Sequence, residues 1–156
     1  MREKTSRPTP RERALRLLAR REYSRAELAA RLASWGCVSE EITALLDEFE
    51  AFAYLSDERF AAATVRHRSG QFAKRRIVGE LRAKGVTAET AAEAVAASEQ
   101  DDYATARALW LRRFGRAPES EKEKARQVRF LQARGFAPSL IYRVLREAGA
   151  RVEENE

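Results

Sequence analysis

The stretch Leu81-Arg82-Ala83-Lys84-Gly85 lies near the middle of this 156-residue chain and has two counterparts with leucine and glycine at the same spacing. They are Leu32-Ala33-Ser34-Trp35-Gly36 and Leu131-Gln132-Ala133-Arg134-Gly135. The three glycines are 49 and 50 residues apart, and each of them follows a run that is compatible with a helix. Three occurrences at nearly even spacing indicate tandem units of about 50 residues.

Each repeated glycine is expected to end a helix, because glycine adopts the left-handed conformation of a helix C-terminus without steric penalty. The helix before the glycine is predicted to begin after Ser24 or Ser120, each of which has a glutamate three residues later, as in a capping box. The helix after the glycine has Ser39, Thr87 or Pro138 at its predicted start.

A further helix leads each unit, so that apolar spacings of three and four residues predict three helices per unit and no strand. The leading helices are predicted over Arg11–Arg21, Ser56–His67 and Asp101–Phe114. The predicted fold is all-α, with three tandem three-helix repeats that form an elongated, curved body. The repeats are assigned to residues 11–55, 56–98 and 99–150, and a disordered arm and tail to residues 1–10 and 151–156.

The composition predicts a soluble chain with a large solvated surface. Hydrophobic residues make up 44% and charged residues 35% of it, against about 25% charged residues in an average domain. The longest apolar stretches, such as 60–65, are far shorter than the roughly 20 residues of a membrane-spanning helix. The single cysteine, Cys37, allows no internal disulfide, as expected in a reducing compartment. We therefore expect a cytoplasmic monomer with no membrane contact, because stacked repeats need no dimer.

The charge is distributed unevenly along the chain, whose formal net charge is +6. Seven Lys or Arg residues and one Glu give +6 between positions 66 and 84. Seven Asp or Glu residues, with no Lys or Arg, give −7 between positions 40 and 58. The basic section favours a polyanionic partner such as nucleic acid, or an acidic protein surface.

The basic section supplies the candidate site for binding a partner or nucleic acid. Its residues are Arg66, Arg68, Phe72, Lys74, Arg75, Arg76, Arg82 and Lys84. On a helix that starts near Ala73, Lys74 and Arg75 fall opposite the apolar positions, so packing of the apolar face leaves both cations outward. Phe72 is expected in a loop between basic residues, where its ring could stack on a base or enter a partner's pocket. The simpler interpretation of the charges is a solvated helix face. The aromatic residues expected in the core are Trp35, Phe49, Phe60 and Phe136.

No catalytic, cofactor or metal site is predicted. His67 and Cys37 are 30 positions apart in different units and are too few to complete a zinc site. No glycine-rich loop ends in Lys and Ser or Thr, so any effect on ATP has to be exerted on the partner. Two alternatives stay open. The acidic stretch 47–58 could supply a nuclease-like carboxylate set, and helix, glycine turn, helix could describe a sequence-specific helix-turn-helix DNA-binding protein.

Two groups of residues also carry a family resemblance. In the middle of the chain they are Tyr54-Leu55-Ser56-Asp57-Glu58-Arg59-Phe60-Ala61, Arg68, Gly70, Arg76-Ile77, Glu80-Leu81-Arg82 and Lys84-Gly85-Val86. In the third unit they are Ala125-Arg126 and Phe130-Leu131 through Arg134-Gly135-Phe136. The first group resembles the central signature of the RecX family of regulatory proteins, and the second resembles its C-terminal repeat. Ser56 stands where an acidic residue is usual, and serine also suits a helix cap. Gln71-Phe72-Ala73 replaces a turn that contains more glycine and proline in the family.

The resemblance implies a non-enzymatic protein that binds the RecA recombinase and its filament on DNA. Such a protein lies along the helical groove of the filament and damps ATP hydrolysis and strand exchange. The resemblance also implies weak affinity for single- or double-stranded DNA without sequence preference. An elongated helical body with a basic middle section is physically suited to that task.

Overall fold

The computed structural model describes residues 6–154, with side chains described as far as residue 147. Within this part of the chain there are nine α-helices and no β-strand. The helices are α1 (Pro10–Arg20), α2 (Arg25–Ser34), α3 (Ser39–Ala51), α4 (Asp57–Arg68), α5 (Lys74–Ala83), α6 (Ala88–Ala97), α7 (Asp102–Arg113), α8 (Glu121–Ala133) and α9 (Pro138–Glu154). The all-α prediction with three helices per unit is confirmed.

Each unit of three helices has a hydrophobic core of its own. The fully buried large side chains include Leu28, Leu32 and Phe49 in the first unit, Ile77 and Leu81 in the second, and Trp110, Leu131 and Phe136 in the third. Among the described residues, every pair of helices with extensive contact belongs to a single unit. None of these helices combines the length and the apolarity that crossing a bilayer requires.

The four aromatic residues expected in the core are all packed there. Phe49, Phe60 and Phe136 are buried, whereas Trp35 is only partly buried against the first core. The guanidinium carbon of Arg13 lies 4.1 Å from the centroid of the Trp35 ring and covers its outer face. The core prediction is therefore confirmed, with Trp35 at the edge of its cluster.

The three repeated glycines end α2, α5 and α8 as predicted, with φ angles of +89°, +86° and +92° in chain order. After each glycine the chain turns back, so that the next N–H group donates to the carbonyl group of the repeated leucine. These bonds run from Cys37 to Leu32 (3.1 Å), from Val86 to Leu81 (3.0 Å) and from Phe136 to Leu131 (3.3 Å). This closure of a helix end explains why leucine and glycine recur four residues apart.

Most of the predicted helix caps are present. The side chains that accept a hydrogen bond from the third helical N–H group are those of Ser24, Ser56, Thr87 and Ser120. The cap predicted at Ser39 is wrong, because Ser39 is the first helical residue and the capping position is held by Val38 without a side-chain bond. Glu40 and Glu41 in the first turn of α3 complement the positive end of the helix dipole instead.

Both chain ends are more helical than predicted. Helix α1 begins at Pro10, and Thr9 caps it, so the predicted arm ends earlier than residue 10. Proline suits the first helical position because the N–H group that it lacks would have no helical partner there. Helix α9 runs to Glu154, into the predicted tail, whose sequence contains no proline or glycine to stop it. The other parts of these predictions, residues 1–5 and 155–156, lie outside the described residues.

The first and second units are joined where the start of α2 meets the glycine end of α5. The hydroxyl group of Ser24 donates to the carbonyl oxygen of Lys84 at 2.7 Å. The main-chain N–H group of Arg25 donates to the Asp57 carboxylate, also at 2.7 Å. Gly85 lies so close to Ala26 that a side chain on Gly85 would collide with it. This junction therefore depends on polar main-chain contacts and on a glycine.

The second and third units are joined in a similar way, where the start of α5 meets the glycine end of α8. The N–H group of Ala73 donates to the carbonyl oxygen of Arg134 at 2.9 Å, and Ala73 is buried in the third core. A Cβ atom on Gly135 would lie 2.7 Å from the Cβ atom of Arg76. The three units are thus connected in series, each to its neighbour in the chain.

Candidate functional site

All eight residues of the predicted site lie in the second unit, between the end of α4 and the end of α5. Arg66 and Arg68 are in the last turn of α4, and Phe72 is in the turn that follows. Lys74, Arg75, Arg76 and Arg82 are on α5, and Lys84 is the residue that ends it. Their contacts divide them into three groups: residues around the Phe72 ring, residues that bind the third unit, and exposed cations.

Phe72 is half-buried against the second core, and three guanidinium groups lie around its ring. The guanidinium carbons of Arg76, Arg134 and Arg68 lie 4.6, 5.1 and 5.8 Å from the ring centroid. Cation–π contacts at such distances are electrostatically favourable. Arg134, which comes from the third unit, is not among the residues predicted for this site. Its position directly before a repeated glycine, which matches the position of Lys84, is the signal that could have identified it.

Arg68 is held by Glu80 across the interface between α4 and α5. Its Nε and Nη2 atoms each donate to a carboxylate oxygen at 3.0 Å. These hydrogen bonds, together with the carboxylate charge, raise the pKa of the Arg68 guanidinium. Among the seven predicted cations, this is the one ion pair that the described part of the chain contains. Most of the positive charge of the second unit is therefore not neutralised inside the protein.

Arg75 and Arg76 are exposed on α5, Arg75 as the helical spacing predicts, but both guanidinium groups make contacts inside the protein. Arg75 donates to the carbonyl oxygens of Gly135 and Phe136, and Arg76 donates to the carbonyl oxygen of Ala133. Carbonyl groups at the end of a helix carry partial negative charge, which attracts a guanidinium group. Arg75 therefore lies outward as predicted, but its guanidinium group also binds the third unit, which the helical spacing does not indicate. The binding of Arg75 and Arg76 to a partner stays a prediction.

The remaining predicted cations are more open. Arg66 and Lys84 are exposed, and Arg82 is exposed while it donates to the carbonyl oxygen of Val86 at 3.0 Å. The prediction that Lys74 points outward is wrong: Lys74 is half-buried, because it lies three residues before the buried Ile77 and so shares its side of the helix. Its main-chain N–H group donates to a carboxylate in the third unit. The exposed side chains present positive charge to solvent at both ends of the α4–α5 pair.

Three of the seven acidic side chains between positions 40 and 58 are held in ion pairs. Glu48 accepts from Arg11 at 2.7 Å, and this hydrogen bond, with the charge of Arg11, lowers the pKa of the Glu48 carboxyl. Asp47 and Glu50 both pair with Arg25 at 2.9 Å. In the described residues no group of three or more His, Cys, Asp or Glu side chains is placed to hold a metal ion.

Cys37 and His67 lie in different units, as the sequence indicates. Cys37 is half-buried and packs against the first core, where desolvation raises the pKa of its thiol. A raised pKa leaves less of the reactive thiolate at neutral pH. His67 is exposed in the last turn of α4. Cys37 therefore serves as packing for the first unit.

Comparison with known proteins finds the same division into three units. Family models described as the first, second and third three-helix domains of RecX match residues 11–49, 56–95 and 99–145. The regulatory protein RecX of Chromobacterium violaceum is 46% identical over 133 residues, which cover 85% of this chain and 86% of that protein. The regulatory protein RecX of Ralstonia pickettii is 38% identical over 155 residues, which cover 96% and 98%.

Two solved structures share the fold. The crystal structure of RecX from Lactobacillus salivarius superposes with a TM-score of 0.72 at 18% identity, over 89% of this chain and 94% of that one. A second crystal structure, of a regulatory protein RecX, gives a TM-score of 0.73 at 20% identity over 88% of this chain and 71% of that one. Because the family models cover all three units in order and the relatives align over most of the sequence, this chain belongs to the RecX family of regulatory proteins.

Proposed function

We propose that this protein binds the RecA recombinase and RecA–DNA filaments, and that it inhibits or modulates the ATPase and strand-exchange activities of RecA. The observation that supports this most is the charge of the second unit, where Arg68 is the one predicted cation in an ion pair among the described residues. Cations that are not neutralised internally are available to phosphates and to carboxylates of a partner.

The serial arrangement of the units also supports the proposal. Each unit is joined to the next by a few polar contacts at a repeated glycine, so the three units present their surfaces one after another. A partner that is itself a polymer, such as a protein filament on DNA, can contact several units of one molecule at once. Contacts that are linked in this way strengthen one another through their high effective concentration.

In this proposal the protein has no catalytic role, needs no cofactor and acts as a monomer in the cytoplasm. ATP is hydrolysed at the sites of RecA, and the bound regulator slows that reaction. Affinity for single- or double-stranded DNA is weak and without sequence preference, because contacts to the phosphates carry no sequence information.

The test is the ATPase rate of RecA assembled on single-stranded DNA, measured while this protein is added up to a concentration on the order of 1 µM. The expected result is a rate that falls with added protein. A rate that does not change with soluble, folded protein would overturn the proposal. Strand exchange between homologous DNA molecules, followed in parallel, is expected to fall as well.

A second candidate function is a sequence-specific helix-turn-helix DNA-binding protein, which the α5–Gly85–α6 arrangement keeps open. Selection from a pool of random duplexes separates the two functions. The filament regulator is expected to enrich no consensus sequence. Recovery of a defined motif would favour the second candidate instead.

A further inference from the structure

Gly79 is a glycine that the fold itself does not explain. It lies inside α5, is exposed, and does not have the positive φ angle of the turn glycines. A Cβ atom built on it would have no heavy atom within 4 Å among the residues outside its own helical neighbourhood. Glycine in a helix interior is less favourable than alanine, which would fit here without contact. Within the described residues, therefore, neither backbone conformation nor packing requires a glycine.

A groove lies over Gly79, and it offers a reason for a glycine at this position. The groove has a volume of about 530 Å³ and is lined by Arg68, Phe72, Arg76, Gly79 and Glu80. A side chain at position 79 would project into this space. Because glycine has no side chain, another molecule can approach the backbone of α5 closely at this position.

The walls of the groove combine planar groups with positive charge. The guanidinium groups of Arg68 and Arg76 from the second unit and of Arg134 from the third lie close to the Phe72 ring. The one carboxylate in the lining, that of Glu80, is occupied by Arg68. The charged groups at the groove are three arginines and one glutamate, so an anionic ligand is attracted.

We propose that this groove binds a segment of single-stranded nucleic acid, with a base stacked on the planar groups around Phe72 and the sugar-phosphate chain over Gly79. Nucleobases stack on aromatic rings and on guanidinium planes, and arginines bind the phosphates. In a duplex the base faces are covered by neighbouring bases, so that only phosphates and groove edges are accessible. The Phe72 ring and the stacked guanidinium groups therefore favour an unpaired strand over a duplex.

This inference deepens the DNA-binding part of the proposed function and rests on it, and it is tested without RecA. Fluorescence anisotropy measures the affinity of the full chain for a labelled oligothymidylate of about 12 nucleotides and for a duplex of equal length. The key variant is Gly79→Gln, because glutamine is a good helix former whose side chain fills the groove. The matched control is Ala92→Gln, which places the same side chain at an exposed position of α6 outside the groove.

The expected result is tighter binding of the single strand than of the duplex by the unmodified protein. Gly79→Gln is expected to weaken single-strand binding about tenfold. The melting temperature of this variant is expected to equal or exceed that of the unmodified protein, because glutamine favours the helix more than glycine does. Ala92→Gln is expected to bind like the unmodified protein. If Gly79→Gln loses helicity, Phe72→Leu replaces it, since leucine keeps an apolar side chain but removes the ring.

Three results would overturn the inference. The first is that both groove variants bind the single strand as tightly as the unmodified protein does. The second is that the unmodified protein binds the single strand and the duplex with equal affinity. The third is that it binds a polyglutamate peptide as tightly as the single strand and that Gly79→Gln weakens both interactions to the same extent. The last result would assign the groove to an acidic protein segment. Inhibition of the RecA ATPase by the unmodified protein is a separate measurement, so failure of the groove inference and failure of the proposed function are distinguishable.

Discussion

Gly85 and Ala26, from different units, lie so close that a Cβ atom on Gly85 would come within 3.0 Å of the Cβ atom of Ala26. Gly36, the equivalent glycine of the first unit, has no such neighbour, and a Cβ atom there would meet nothing within 4 Å. Both glycines have nearly the same positive φ angle. A comparison of Gly36 with Gly85 therefore distinguishes the conformational role of the repeated glycine from its packing role at a junction between units.

Gly85→Ala is expected to destabilise the protein more than Gly36→Ala. Each substitution costs about 1 kcal/mol for a side chain in the left-handed conformation. Gly85→Ala costs about 1–3 kcal/mol more, because the added methyl group overlaps Ala26. Urea unfolding followed by circular dichroism measures both free energies of unfolding. Equal losses in the two variants would show that the close approach of Gly85 and Ala26 has no energetic importance.

Ser24→Ala is expected to reduce the free energy of unfolding by about 2 kcal/mol, because the buried hydroxyl makes two kinds of bond. It accepts from the N–H group of Glu27 as a helix cap and donates to the carbonyl oxygen of Lys84 across the first junction. Ser120→Ala is the matched control, since the exposed Ser120 only caps its helix, and a loss of about 1 kcal/mol is expected there. The same urea titration compares the two, and an equal loss would contradict a role of Ser24 at the junction.

Charge reversal at Arg66 and Lys84 is expected to weaken inhibition of RecA about tenfold or more, because two exposed cations are lost without loss of an internal bond between side chains. The free energy of unfolding is expected to change by less than about 0.5 kcal/mol. Reversal of the exposed Arg16 and Arg20 in α1 gives the control with the same change in net charge. Equal effects of the two double variants on the RecA ATPase would show that only total charge matters.

Charge reversal at Arg75 and Arg76 is expected to lower stability as well as inhibition of RecA, unlike charge reversal at Arg66 and Lys84. Both side chains donate to carbonyl oxygens at the end of α8, so glutamate at these positions repels the third unit as well as an anionic partner. Binding and stability are therefore expected to fall together, by about 1–2 kcal/mol in unfolding free energy. Thermal unfolding measured beside the ATPase assay checks this. Loss of inhibition at unchanged stability would mean that the two arginines serve the partner alone.

Glu48→Gln is expected to remove a part of the stability that depends on pH. The hydrogen bond from Arg11 lowers the pKa of Glu48 in the folded protein, so this carboxylate stabilises the fold at neutral pH. The contribution is lost as the pH falls through the lowered pKa. Melting temperatures are expected to differ between Glu48→Gln and the unmodified protein at neutral pH and to converge in acid. Glu93→Gln in α6, whose carboxylate has no ion pair among the described residues, is the control and should show no such convergence.

Much of the fold could be predicted because the information is local. A leucine and a glycine four residues apart encode a helix end, and the helix starts are marked by serine, threonine or proline. The predicted bounds of the leading helix of the second unit, Ser56–His67, differ by one residue at each end from those of α4. The exceptions have physical reasons: at Ser39 the dipole is satisfied by glutamates instead of a cap, and α9 continues where the sequence gives no stop signal.

The sequence indicates which residues form the candidate site, but it does not indicate which contacts they make. The outward position predicted from the periodicity of α5 is correct for Arg75 and wrong for Lys74, which is half-buried. The periodicity carries no information about how the third unit is oriented, and therefore could not show that Arg75 and Arg76 bind the end of α8. The position of Arg134 beside the Phe72 ring depends on the same orientation. Contacts between units follow from the packing of whole units, which a local pattern does not encode.

The separation of the hydrophobic cores has a mechanical consequence. Most of the apolar packing lies within the units, whereas the joints between them consist of a few hydrogen bonds, the close approaches of Gly85 and Gly135, and Ala73 buried against the third core. Small changes at these joints can alter the bend of the whole body without loosening any core. A chain built in this way is expected to change the angles between its units more easily than the packing inside any one of them.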